Sequence, residues 1–319
     1  MLVNYSYLQI RFDLIHPKNL EDMYRRTFVK NSGLLWSASI LPTLLFSSAG
    51  KPKYKMGLQA FTIRDALAKD LVGSLKTVKA LGYEDLELYG FDAEKVAYYG
   101  YKAKDFKQLL DDLGLSSSSC HYAFTDYVNA SNDDLAKFVD SCITGALTLK
   151  NNYITWPWMA PEHRTLETFE RLPEQLNRIG EQVKQAGLGF AYHNHDFEFH
   201  TYGDTTGFDT IINGTDASLV KIQLDLYWAV HSAKKSPQEL IATAPERFVM
   251  WHIKDMDKLT RDYSELGNGS IDYSKMLPKL DTSALEFYYL EQGGNFAQNS
   301  MQSVTDSAHF FKKNLQKFL

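Results

Sequence analysis

Phe248-Val249-Met250-Trp251-His252-Ile253-Lys254-Asp255 is the stretch on which the fold turns. An apolar run this short, ending in polar residues, reads as a buried strand rather than a helix. Period-2 alternation puts His252 and Lys254 on one face and Trp251 and Ile253 on the other. A lysine on an inward face is costly unless it meets an acid, an anion or a substrate oxygen. The stretch therefore describes a strand whose carboxyl end is polar by design.

The same form recurs along the chain. MGLQAF (56–61), DLELYG (85–90), LSSSSCH (115–121), NNYITW (151–156), LGFAYH (188–193), VKIQLD (220–225) and EFYYLE (286–291) bring the strand-like runs to eight. Amphipathic segments lie between them, among them LVGSLKTVKALG, AKDFKQLLDDLG and LETFERLPEQLNRIGEQVKQAG, and Gly82, Gly114 and Gly187 each stand where a left-handed helix C-cap is wanted. Repeated βα units force parallel strands, and eight of them in about 270 residues match a (β/α)8 TIM barrel. The competing fold, an open doubly wound sheet, lacks a G-x-G-x-x-G after the first strand. No linker or low-complexity tract interrupts 55–319, so one domain, 50–319, is expected after an N-terminal extension, 1–49.

That extension reads as an export signal. Arg25-Arg26-Thr27-Phe28-Val29-Lys30 is a basic n-region, Gly33 to Phe46 is apolar, and Ser47-Ser48-Ala49 offers small residues for cleavage. YRRTFVK is similar to a twin-arginine signal, which implies a periplasmic protein delivered already folded. Pro42 interrupts the apolar stretch, which falls short of the about 20 residues of a membrane span. Asp13, Glu21 and Asp22 precede the basic pair, so Met23 is an alternative start.

Loss of residues 1–49 removes five of 34 basic and three of 39 acidic residues, leaving 29 against 36 and a net charge near −7. An acidic protein is a poor partner for nucleic acid or anionic membranes. Cys120 and Cys142 are too few for a disulfide framework and read as buried thiols.

In a TIM barrel the carboxyl ends of all eight strands meet at one mouth. Asp225, His252 and Glu291 each close an apolar run, and His193, His195 and Glu198 follow another. Oxygen and imidazole donors converging there suit one divalent metal, Mn2+, Mg2+, Zn2+ or Co2+, which polarises hydroxyl and carbonyl oxygens. The substrate is therefore expected to be a polyoxygenated small molecule, a class that includes carbohydrates. Glu87 and His121, at the second and third strand ends, fit the same mouth as substrate contacts or buried structural groups. Trp228 could wall a sugar face, and Lys254, His193 and His195 could donate to substrate oxygens.

The chain resembles the xylose isomerase-like TIM barrels, the sugar phosphate isomerase/epimerase group, over 55–319. GLQAFTIRD, GYEDLELYGF, YHNHDFEF, LDLYW, WHIKD and ELGNGSIDY carry the likeness. It implies one divalent ion held by a glutamate near the fifth strand, an aspartate on the sixth, a histidine on the seventh and a glutamate on the eighth. The last three match Asp225, His252 and Glu291. The fifth-strand match is either Glu198 or, where relatives carry Glu-Asn-His, the His193 that stands there instead. HSAKKSP (231–237) departs from the glycine before an Asp-Pro pair found in relatives, so substrate preference does not carry over.

The implied activity is isomerisation or epimerisation through an enediolate, with Glu198 and Glu291 relaying the proton. A lyase or dehydratase acting on a keto-sugar, keto-glycoside or inosose would use the same site. A metal-free periplasmic sugar-binding protein is the non-catalytic alternative, and would show two lobes.

Overall fold

The structure is a computed structural model and describes residues 53–319. The export signal expected over 1–49 lies outside the described residues. Eight parallel strands close a barrel: β1 Gly57–Gln59, β2 Asp85–Leu88, β3 Ser116–His121, β4 Tyr153–Trp156, β5 Gly189–His193, β6 Val220–Asp225, β7 Phe248–Ile253 and β8 Phe287–Leu290. Every strand falls within one of the eight apolar runs. Closure is made by β1, which pairs with β2 on one side and β8 on the other.

Helices Leu71–Ala80 (α1), Ala103–Asp112 (α2), Asn132–Leu149 (α3), Leu166–Gln185 (α4), Gly207–Gly214 (α5), Leu226–Ser232 (α6), Pro237–Thr243 (α7) and Ser300–Phe310 (α8) cover the strands. Side-chain caps start several of them: Asp70 for α1, Ser131 for α3, Thr165 for α4 and Ser236, in a capping box, for α7. Gly82, Gly114 and Gly187 all adopt positive φ, as expected of glycines that end helices.

Two hydrophobic regions result. Trp251, Ile253, Leu224 and Ile222 face outward into the large core shared with the helices. Tyr153, Ala191, Met250 and Tyr289 belong to a smaller separate cluster. His252 and Lys254 lie on the other face from Trp251 and Ile253, and both are buried, in accord with the period-2 reading. Cys120 and Cys142 are buried free thiols. Among the described residues no helix is long and apolar enough to cross a membrane.

The seventh βα unit departs from the repeat. Between β7 and β8 stand a two-stranded hairpin, Asp255–Met256 with Tyr263–Ser264, and only a four-residue helix, Tyr273–Met276. Asp255 organises this loop. Its two carboxylate oxygens accept from the backbone N–H of Met256 (2.8 Å), Gly267 (2.8 Å), Gly269 (3.1 Å) and Ile271 (3.1 Å). Gly267 has φ +95°, and a Cβ on Gly269 would lie 2.1 Å from the Asp255 carboxylate, so the glycines of ELGNGSIDY let the chain wrap that acid.

Candidate active site

Asp225 is the last residue of β6 and the N-cap of α6. Its Oδ1 accepts from the Trp228 N–H (3.1 Å), and its own N–H donates to Asn194 Oδ1 (3.0 Å). Oδ1 thus serves the helix cap. Oδ2 remains and stands 2.7 Å from Lys254 Nζ and 3.7 Å from His193 Nε2.

Register places His252 level with Asp225 across the β6–β7 pair. Its Nδ1 lies 2.5 Å from Glu291 Oε2, just past β8, and its Nε2 lies 2.5 Å from Glu87 Oε2. Lys254 Nζ sits 2.8 Å from the same Glu291 oxygen, so the inward lysine meets two acids. Donor atoms of Asp225, His252 and Glu291 all lie within 4.8 Å of one another, and a second group of that kind is His121, His193 and His252.

These residues fit a cation. Among the described residues, Asp225 Oδ2, His252 Nδ1, Glu291 Oε2 and His193 Nδ1 are buried without a well-aligned hydrogen bond, and the Lys254 ammonium, 2.7 Å from Asp225 Oδ2 and 2.8 Å from Glu291 Oε2, meets the two carboxylates as an ion pair. Oxygen and imidazole donors converging in this way are a set that a divalent ion takes. Charge supports this: once His252 is neutral, as a ligating imidazole must be, carboxylates Glu87, Asp225 and Glu291 against the Lys254 ammonium leave two uncompensated negative charges, which one divalent ion balances. Burial works against an imidazolium at His252, but Glu87 and Glu291 outweigh it and raise His252 to about 9. Burial likewise opposes the charges of Glu291 and Lys254, yet Lys254 and His252 hold the first well below the usual carboxylate range, and Asp225 and Glu291 hold the second above ordinary lysine.

Of the two fifth-strand candidates, His193 faces this cluster, with its ring 4.4 Å from that of His252. Burial, then the neighbouring histidines and Lys254, push its pKa well below ordinary histidine and keep it neutral. Glu198 belongs to neither ligand group. It lies in the Phe197–Phe199 turn, fully buried, accepting from the Tyr192 hydroxyl (2.8 Å) and the His195 N–H (2.8 Å). Burial raises it to about 8.

Of the two readings of Glu87, substrate contact or buried structural group, its surroundings match the second: it is enclosed. It pairs in register with Gln59 of β1, and its carboxylate accepts from Gln59 Nε2 (2.7 Å), Gln223 Nε2 (2.6 Å) and His252, with His121 Nε2 at 3.0 Å. With no accessible surface and these donors around it, Glu87 has nothing left for a substrate. His121 is also engaged, through Gln59 and Gln223. His195 stays at the rim, its ring 5.8 Å from Trp228, whose indole N–H has no partner among the described residues.

Sequence reasoning missed Gln59, Gln223, Asp255 and Tyr273. The first two were signalled as polar residues inside apolar runs, GLQ and KIQLD. Tyr273 closes the loop from Asp255 onto the Lys254 backbone, its hydroxyl accepting from the Lys254 N–H (3.1 Å) and donating to the Lys254 carbonyl.

The fold and this site define a single (β/α)8 barrel with a carboxylate- and histidine-lined polar mouth; the two lobes of a binding protein are absent from the described residues. A family model described as xylose isomerase-like TIM barrel matches residues 75–312, and the chain belongs to that family. Comparison with curated proteins returned no match. Among solved structures, a sugar phosphate isomerase/epimerase from Parabacteroides distasonis is 26% identical with TM-score 0.72, covering 87% of this chain and 99% of its own. Two others share the fold alone. A xylose isomerase-like TIM barrel protein from Mycobacterium smegmatis in complex with magnesium is 17% identical (TM-score 0.61; 84% and 98% covered), and the IOLI protein with a bound zinc atom is 13% identical (TM-score 0.63; 83% and 99% covered).

Proposed function

We propose that this chain is a divalent-metal-dependent isomerase or epimerase that moves a proton at the carbon beside the carbonyl of a sugar or keto-sugar, through an enediolate. The observation that carries the reading is the convergence of Asp225, His252 and Glu291 donor atoms within 4.8 Å, on three consecutive strand ends. Asp225, His252 and Glu291 would hold the ion, with His193 beside them; when bound, it polarises the carbonyl and neighbouring hydroxyl oxygens.

The remaining work falls to the chain's own groups. Lys254 contributes a fixed positive charge toward oxygens that become negative. Glu291, held ionised, is one proton carrier. The sequence paired it with Glu198; because Glu198 is turned to Tyr192 and the His195 N–H, we assign the second carrier to His193, whose neutral imidazole has no hydrogen bond at Nδ1 among the described residues. Trp228 and His195 form the wall against which a sugar face lies.

The same site serves a second reading: if the neighbouring group leaves instead of the carbon regaining a proton, the enzyme is a lyase or dehydratase. We further propose that residues 1–49 direct export to the periplasm. Metal analysis of the purified protein should give one divalent ion per chain, and turnover in D2O of free sugars or 3-keto-sugars, followed by NMR, should place deuterium beside the carbonyl. A true substrate turned over without deuterium removes the enediolate, and a fully active metal-free protein removes the ion.

A further inference from the structure

The carboxylate of Glu87 sits one layer below the mouth and has no accessible surface, and among the described residues its polar neighbours are the side-chain nitrogens of Gln59, Gln223, His252 and His121. The direction of each is fixed. Gln59 Oε1 accepts from the Phe61 N–H (3.0 Å), so its amide nitrogen must face Glu87; Gln223 Oε1 faces His121 Nε2 (2.7 Å), so its nitrogen must too. Glu87 is therefore an acceptor at both oxygens, and the nitrogen of His252 that touches it must carry a hydrogen.

We propose that Glu87 is a positioning residue of the metal site: it holds the His252 proton on Nε2 and so leaves Nδ1, which faces Asp225 and Glu291, as the ligand atom. The inference rests on the metal reading above. Gln59 and Gln223 serve Glu87 in turn, each spending one amide end on the carboxylate. A carboxylate behind a ligating imidazole fixes ring orientation and raises its basicity, and loss of such a partner typically costs about 10- to 100-fold in metal affinity.

The test uses the full protein with Zn2+ alone. In long-range 1H–15N spectra of histidine-labelled, Zn2+-loaded wild type, the signal lost in His252→Asn should show a proton on Nε2 and a metal-shifted Nδ1. Glu87→Gln should bind Zn2+ about 10- to 100-fold more weakly by chelator competition, because a single amide oxygen cannot accept from every donor around it. Wild type ligating through Nε2, or Glu87→Gln binding Zn2+ within a few-fold of wild type, overturns the assignment and leaves the metal site standing. Wild type that takes up no Zn2+ removes both. Should Glu87→Gln fail to fold, the wild-type spectrum alone decides.

Discussion

Glu198→Gln separates the two carboxylates that the sequence paired. Glu198 is fully buried and its pKa is raised by that burial to about 8, against 4.5 for an ordinary glutamate. A carboxyl raised in the folded state contributes stability that is fully present below pH 4.5 and is lost as pH rises through about 8. At pH 7 the unfolded chain has ionised this group and the folded chain has not. The difference, about 2.5 pH units at about 1.4 kcal/mol each, is roughly 3 kcal/mol. Glutamine mimics the protonated acid: its oxygen can accept from the His195 N–H while its amide donates to the Tyr192 hydroxyl oxygen. The variant should therefore match wild type near pH 4.5 and exceed it by up to about 3 kcal/mol at pH 7, with a flatter stability profile between. Denaturant unfolding across pH 4.5 to 8 measures this. If the two profiles run parallel, Glu198 is ionised in the folded protein and the account of its burial fails. Turnover supplies the second readout: with His193 as proton carrier, kcat should stay within about tenfold of wild type, whereas the loss of a general acid or base costs on the order of 10²-fold or more.

Asp225→Ala, His252→Ala and Glu291→Ala should each lower metal occupancy strongly, measured by metal analysis after dialysis; full retention in all three places the site elsewhere. Because His252 is raised to about 9, an ion bound at its Nδ1 displaces a proton. Apparent metal affinity should then fall by up to about tenfold per pH unit below about 9, and a flat profile by chelator competition would contradict that ligand. Asp255→Ala strips the acceptor from four backbone N–H groups, so faster hydrogen exchange is expected at Met256 and over 267–271, together with a lower Tm, at about 1–3 kcal/mol for each group left buried and unpaired. N-terminal sequencing of protein from a native host should begin at Gly50 or within a few positions; an intact cytoplasmic chain would rule out export.

The barrel was legible in the sequence because a strand buried on both faces needs a short, nearly continuous apolar run, and because a helix turning back into a strand wants a left-handed residue, supplied at Gly82, Gly114 and Gly187. The acids and histidines of the mouth were legible for a related reason: Asp225 and His252 end such runs, and side-chain alternation fixes which face they share. Alternation says nothing about depth. For Glu87 the sequence left a substrate contact and a buried structural role open; register with Gln59 sets it a layer lower, where only the closed barrel could bring Gln223 and His252 to the same carboxylate. Glu198 escaped for another reason. It lies past the end of β5, where period-2 geometry stops and a single turn of 3-10 helix, with Tyr192 and the His195 N–H, decides its direction. Local sequence thus chose the strands and the chemistry at their ends; barrel closure, which joins residues more than a hundred positions apart, and the packing of loops chose which atoms face one another.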